Sequence, residues 1–238
     1  VQGAATKAVL AIARDVPDDR GLAERICRAY VEGLDVDGAA LSLLTATDSR
    51  LTLHATDPTA DVLEELQFTL NEGICIEAAT TGRPVFVSDI RTATARWPMF
   101  TATLLETTPV RALFALPLQW GTTNLGVLDL YRLEPDGLGD AERMDALAAA
   151  EAATLMMLTL RTDSGELVDA RGSWLDPMVA GRAEIHQATG MVLAQLGVPA
   201  DHALARMRAH AFAEQRLLID VARDVVARRL SFTDEGPR

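Results

Sequence analysis

His202, Arg206 and His210 stand four residues apart, so a helix carrying them presents two imidazoles and a guanidinium on one face. Such a face attracts the phosphates of a polyanion. Arg208 leaves the same stretch in another direction. Cys27 and Cys75 are the two thiols of the chain and, 48 positions apart, build neither a disulfide framework nor a four-ligand metal site, so no metal is expected. They suit a reducing compartment. Plainer readings stand beside both groups: the arginines can simply solvate helices, and Cys75 can be a small buried side chain. Cys75 also opens a predicted helix, where the dipole can acidify a thiol and make it redox-sensing.

The elements that must hold these residues fall into two groups. In 176–196, Met178, Ile185 and Val192 recur every seven residues with Ala188 and Leu196 on the same side, an amphipathic helix that Gly197 ends. Pro199 then suits the first position of a second helix, with Asp201 in its first turn and Ala203, Leu204, Met207 and Ala211 as its core stripe. Leu218, Val221, Ala222 and Val225 mark a third, on which Arg216–Asp220 and Asp224–Arg228 read as i,i+4 ion pairs. Three such helices make a small bundle.

Upstream, helix-like and strand-like patterns alternate. Helices are expected over 20–33, 61–68, 74–81 and 140–160, and strands over 39–45, 51–55, 85–87, 112–120 and 125–131. Thr47-Asp48-Ser49 joins one hairpin and Gly121-Thr122-Thr123-Asn124 another; a loop is expected around Trp97-Pro98. The implied architecture is α+β, an antiparallel sheet with flanking helices. The polar, Gly- and Pro-punctuated stretch 163–175 reads as a linker, giving a first domain over 1–162 and a second over 176–238.

Of 238 residues, 49% are hydrophobic and 24% charged, which excludes collagen, simple disorder and a bare coiled coil. No apolar run approaches the roughly 18 residues of a membrane span. The run Ala8–Ala13 after Lys7 is too short for a secretory signal core, so a cytoplasmic location is expected. Residues 1–175 hold 26 acidic and 14 basic side chains while 176–238 hold eight of each, so the net charge of −12 lies wholly in the first part. Any nucleic-acid contact must therefore be local to the neutral tail.

The segments Leu70-Asn71-Glu72-Gly73-Ile74-Cys75-Ile76-Glu77-Ala78-Ala79, Thr81-Gly82-Arg83-Pro84-Val85, Phe114-Ala115-Leu116-Pro117-Leu118 and Leu125-Gly126-Val127-Leu128-Asp129-Leu130-Tyr131, in this order, resemble a GAF domain. The resemblance implies a six-stranded sensory module with a small-molecule pocket over the sheet, for which Cys75, Phe86, Trp97, Phe100 and Phe114 are the candidate ligand-binding residues. Ile76 stands where bilin-binding relatives carry histidine, and the further cysteines of GAF-type methionine sulfoxide reductases are missing, so neither a chromophore nor any other cofactor is expected.

The tail strings 182–192, 203–211 and 220–226 resemble an ANTAR domain along all three helices. The chain departs from that family at Thr189, where lysine is common, and at Leu204, where an aromatic residue is common. The resemblance implies a dimer whose bundle captures paired hairpins in a leader transcript and so prevents a terminator from forming. Recognition of RNA loops needs cations for phosphate and groups that stack on or hydrogen-bond to unpaired bases. Arg182, His186, Gln187 and Thr189 with His202, Arg206 and Arg208 are the candidate RNA-binding residues, Gly190 allowing close approach.

The expectation is a homodimeric, non-enzymatic antitermination regulator whose partners are RNA and a small molecule, with no membrane. In it the helix over 140–160 relays a change sensed by the first domain. Two alternatives remain: a DNA-binding helix-turn-helix protein, disfavoured because no helix shows an uninterrupted basic face, and a redox enzyme using Cys75.

Overall fold

A computed structural model of the chain describes residues 3–13, 21–44, 50–164, 177–214 and 216–232; of 159–164, 177–183 and 201 it describes the backbone alone. The chain divides into two units, Val1–Trp174 and Leu175–Arg238.

In the first unit the described elements run α1 (Ala4–Ile12), α2 (Leu22–Gly33), β1 (Gly38–Leu44), β2 (Arg50–Ala55), α3 (Pro58–Leu70), α4 (Ile74–Thr81), β3 (Val85–Val87), α5 (Pro98–Thr107), β4 (Ala112–Trp120), β5 (Thr123–Arg132) and α6 (Asp140–Ser164). The strands form one sheet in the order β2-β1-β5-β4-β3, antiparallel throughout. The described residues thus hold five strands, one fewer than the family resemblance implies. The expected hairpin turn Thr47-Asp48-Ser49 and the end of the first expected strand, Thr45, lie outside the described residues, as do positions 165–175 of the expected linker. The linker's other two positions, 163 and 164, belong to α6.

Strand alternation sends successive side chains to opposite faces. Leu41, Leu43, Phe114, Leu116, Leu128 and Leu130 pack on one face against α1, α2 and α6. Ala40, Leu113, Ala115, Val127 and Tyr131 line the other, covered by Leu63 and Leu66 of α3, Ile74 and Cys75 of α4, and Phe100 and Leu104 of α5. Each fully buried Leu, Ile or Phe here contributes roughly 1.5–3 kcal/mol of burial. Gly126 lets β5 lie close to β1: a Cβ at this position would overlap the Ser42 carbonyl oxygen.

Several helix ends depend on distant or neighbouring carboxylates. Asp57 caps α3, its Oδ1 accepting from Thr59 N at 2.8 Å and Ala60 N at 3.0 Å; with Pro58 at the first position, this starts the helix three residues before the expected Asp61. Two helices were not expected at all. The N-terminus of α1 is capped by Asp145 of α6, whose carboxylate accepts from Ala5 N at 2.9 Å and Thr6 N at 3.0 Å. That of α5, in the expected loop, is capped by Glu72, which accepts from Met99 N at 3.0 Å and Phe100 N at 3.2 Å. At the end of β5, Arg132 ties the sheet to the start of α6 through Gly137 O at 3.0 Å and Glu142 at 3.0 Å.

The second unit comprises α7 (Pro177–Leu196), α8 (Ala200–Ala213) and α9 (Leu218–Val226). Ile185, Ala188, Val192, Ala203, Met207, Ala211, Leu218, Val221, Ala222 and Val225 are its buried apolar residues, matching the expected stripes; Leu204 and Leu196 are half-buried, and the Met178 side chain lies outside the described residues. Gly197 follows α7 in a left-handed conformation, φ 65°. The expected ion pairs are redrawn. Arg216 reaches the Asp224 carboxylate at 2.5 Å and the Asp220 carbonyl at 3.2 Å. Arg229, not Arg228, is the second partner of Asp224, at 2.7 Å. The helix ends at Val226 and Arg228 turns left-handed, φ 58°, so i,i+4 geometry no longer holds there. Among the described residues no helix is long and apolar enough to cross a membrane.

Candidate functional site

Two places in the molecule gather chemistry. The first lies between the sheet of the first unit and α3 and α4. Glu64 and Gln67 are one turn apart on α3 and share its buried face. Ser42 of β1, Arg50 and Thr52 of β2 and Asp129 of β5 face them from the sheet, and Cys75 closes the cluster from the first turn of α4. All seven are buried, Asp129 and Glu64 to 1% exposure.

Glu64 Oε2 accepts from the Ser42 hydroxyl and from Thr52 Oγ1 at 2.9 Å, with Arg50 Nη2 at 3.7 Å. Arg50 Nη2 also donates to the Glu64 carbonyl at 3.1 Å. Gln67 links Asp129 to the backbone of Cys75. Its Nε2 donates to Asp129 Oδ2 at 3.1 Å, and its Oε1 accepts from Cys75 N at 2.7 Å. Glu64, Cys75 and Asp129 each bring a ligand-type atom into one space, all within 4.8 Å of one another.

Burial governs the titration of this cluster. It pushes the Asp129 carboxyl well above the usual carboxylate range, and the neighbouring Glu64 pushes in the same direction. It likewise pushes the Cys75 thiol up, against the opposing pull of Arg50. Of the two readings of Cys75, the structure agrees with the small buried side chain: the residue is fully buried, and desolvation pushes its thiol in the direction opposite to the helix dipole. For Arg50, burial alone would lower the pKa, but the acidic groups of Cys75, Glu64 and Asp129 outweigh it and hold the guanidinium charged.

The five candidate ligand residues do not share one side of the sheet. Cys75, Trp97 and Phe100 lie on the α3–α5 face, the two aromatic rings edge-on with centroids 6.5 Å apart. Phe86 and Phe114 lie on the opposite face, 6.2 Å apart, with the Arg143 guanidinium over Phe86. Sequence reasoning missed Ser42, Arg50, Thr52, Glu64, Gln67 and Asp129. The signal was present: a polar or charged residue set inside an otherwise apolar strand, as Ser42 is in GAALSLL and Asp129 in LGVLDLYR.

The second place is the surface of α7 and α8. His186, Gln187 and Gly190 of α7 are exposed, and a Cβ at Gly190 would meet nothing within 4 Å. On α8, His202 and Arg206 are exposed while Arg208 and His210 are half-buried, the His210 ring lying edge-on to Phe232 at 5.5 Å. Thr189 is elsewhere. It is buried, its hydroxyl donating to the Ile185 carbonyl at 2.7 Å and lying 3.9 Å from Met207 Sδ, a position in the α7–α8 contact. The Arg182 side chain lies outside the described residues.

Residues 18–156 match the family model described as GAF domain, and residues 177–226 match that described as ANTAR domain. Among curated proteins none matches this chain. Solved structures give the fold of the first unit. The GAF domain of an Acinetobacter phosphoenolpyruvate-protein phosphotransferase is similar with a TM-score of 0.54 at 11% identity, over 69% of this chain and 96% of that one. The corresponding domain from Coxiella burnetii gives 0.54 at 13%, over 68% and 95%. A domain of a putative two-component sensor histidine kinase protein from Sinorhizobium meliloti 1021 gives 0.52 at 16%, over 63% and 96%.

Proposed function

We propose a sensor-regulator function from a plain premise: this chain belongs to the GAF domain family and carries an ANTAR domain after its sensor domain. An ANTAR domain is the RNA-binding module of antitermination regulators, and a GAF domain is a sensor. In our reading, a cytoplasmic homodimer captures hairpins of a nascent leader transcript through its ANTAR bundle. A signal received by the GAF domain sets the affinity. The domains run over 1–162 and 176–238, joined by a linker.

The observation that carries this reading is the ANTAR match over residues 177–226, and the surface of that unit agrees with it. His186, Gln187, His202 and Arg206 supply imidazole, amide and guanidinium groups to solvent rather than to the core. These groups stack on unpaired bases, hydrogen-bond to their edges and neutralise phosphates. The exposed helical backbone at Gly190 gives a strand room to approach. Because the chain carries a net charge of −12, an RNA must be met by this local face rather than by the field of the whole molecule.

Dimerisation has a physical basis on α6. Met144, Leu147 and Leu155 are exposed at 72%, 36% and 49%, and with Ala148 they fall in one stripe along the helix. A second copy packing stripe to stripe would bury it. A regulator, rather than a redox enzyme, agrees with Cys75 lying buried as a protonated thiol, with Cys27 buried in the core on the other face of the sheet.

The test is a gel-shift titration of the full chain and of a 1–175 truncation. The probes are an RNA with two hairpins, a loop-mutated control and duplex DNA. Loop-dependent RNA binding that is lost on truncation is the expected result. A shift with duplex DNA but not RNA would replace this reading with the helix-turn-helix one.

A further inference from the structure

We propose that Cys75, Asp129 and Glu64 form a mononuclear site for a borderline divalent transition ion, zinc or ferrous iron, in the interior of the GAF domain. The inference concerns the first unit alone and stands whether or not the second binds RNA.

Four observations carry it. The three groups come from three elements, α4, β5 and α3, yet their ligand atoms lie within 4.8 Å of one another. Metal bonds of about 2.0–2.3 Å span such a space after a contraction of about an ångström or less. Among the described residues no other cluster of three such groups forms.

Next, the cluster is incompletely bonded although it is buried. Asp129 Oδ1 has no hydrogen-bond partner, and neither do Nε and Nη1 of Arg50, whose side chain is 4% exposed beside Glu64. An acceptor and two donors without partners in one dry space signal a missing occupant. An ion satisfies the acceptor, and a water or hydroxide on that ion can accept from Arg50.

Third, the surrounding hydrogen bonds are those that orient metal ligands. Ser42 and Thr52 fix one oxygen of Glu64, and Gln67 fixes Oδ2 of Asp129 and the backbone of Cys75. Oδ1 of Asp129 is left to coordinate, with the Cys75 sulfur beside it.

Last, the charges match. Once the ligands give up their protons to the ion, two carboxylates and a thiolate beside one guanidinium carry an excess of two negative charges, which a single divalent cation cancels inside a low-dielectric core. One thiolate with two carboxylates selects a borderline ion: sulfur disfavours magnesium and calcium, and two oxygens disfavour cuprous copper.

Chelator-stripped full-length protein titrated with cobalt(II), the spectroscopic stand-in for zinc, tests the site. The expected result is one cobalt per chain with a near-ultraviolet thiolate-to-cobalt charge-transfer band. The band should persist in Cys27→Ser and vanish in Cys75→Ser. Gln67→Leu should weaken binding by about 10- to 100-fold through loss of ligand orientation. Zinc should raise the melting temperature of the wild type, a readout that needs no variant to fold. A stripped wild-type chain that takes up no cobalt and gains no stability from zinc overturns the proposal, as does a charge-transfer band that survives Cys75→Ser.

Discussion

The two candidate sites are opposites in construction. In the sensor domain, acids, a thiol and a guanidinium from four elements converge where water is excluded. In the ANTAR domain, imidazoles, an amide and a guanidinium stand in water on two consecutive helices. The same groups do different work in the two settings. Buried, each charge is strongly coupled to its neighbours, so the cluster bears on stability and on titration. Exposed, each charge is screened and contributes little to folding, so its consequence appears when a polyanion arrives.

The sharpest way to break this comparison is to remove one partner on each side. Glu64→Ala leaves the Arg50 guanidinium buried without its carboxylate, and a cost of about 3–5 kcal/mol is expected in urea unfolding of the full chain. His186→Ala, on the exposed face of α7, should change stability by less than about 0.5 kcal/mol. Equal effects would show that the interior cluster is not the coupled network its geometry describes.

Acidity separates the sites next. Asp129 has a raised pKa in the folded chain, so the folded state binds a proton that the unfolded state has released. The stability this proton provides is fully present below the ordinary carboxylate pKa of about 4 and is lost as pH rises through the folded value. Over that window the metal-free chain should lose up to about 1.4 kcal/mol per pH unit. Asp129→Asn should abolish this slope, and a wild-type profile that is flat above pH 4 would contradict the buried-acid reading.

The same contrast explains what the sequence disclosed. The ANTAR helices were legible because their determinants are local: Val221, Ala222 and Val225 repeat with the helix, and Gly197 marks a stop. The five described strands were legible for the same reason, as short apolar runs bounded by turn residues. What escaped was long-range. Helices α1 and α5 begin where Asp145 and Glu72 supply caps from 139 and 27 residues away, and no window along the chain contains both partners. The interior cluster escaped likewise: Cys75 was visible, but its neighbours Asp129 and Glu64 come from other elements. The aromatic residues grouped with it were split by strand alternation, which put Phe86 and Phe114 behind the sheet.

A smaller effect sharpens the exposed side. Arg206→Ala should weaken RNA binding several-fold and lower the salt-dependence slope by about 0.7, the signature of one lost phosphate contact on single-stranded RNA. The melting temperature should not move, because Arg206 is exposed on α8. A lost slope together with a lost fold would move Arg206 out of the binding face and into the bundle.

The smallest expected change is the most discriminating for α7. Gly190 lies inside a helix, where glycine is unfavourable by about 0.5–1 kcal/mol relative to alanine. Among the described residues nothing requires it, since an added Cβ meets no atom within 4 Å. Gly190→Ala should therefore stabilise the second unit by about that amount in thermal unfolding. If the glycine is kept for a partner's approach, the same methyl should weaken RNA binding while strengthening the fold. The two readouts then move in opposite directions, which neither a purely structural glycine nor a damaged helix would produce. Stabilisation with unchanged RNA affinity would place the RNA contact on α8 and away from this turn of α7.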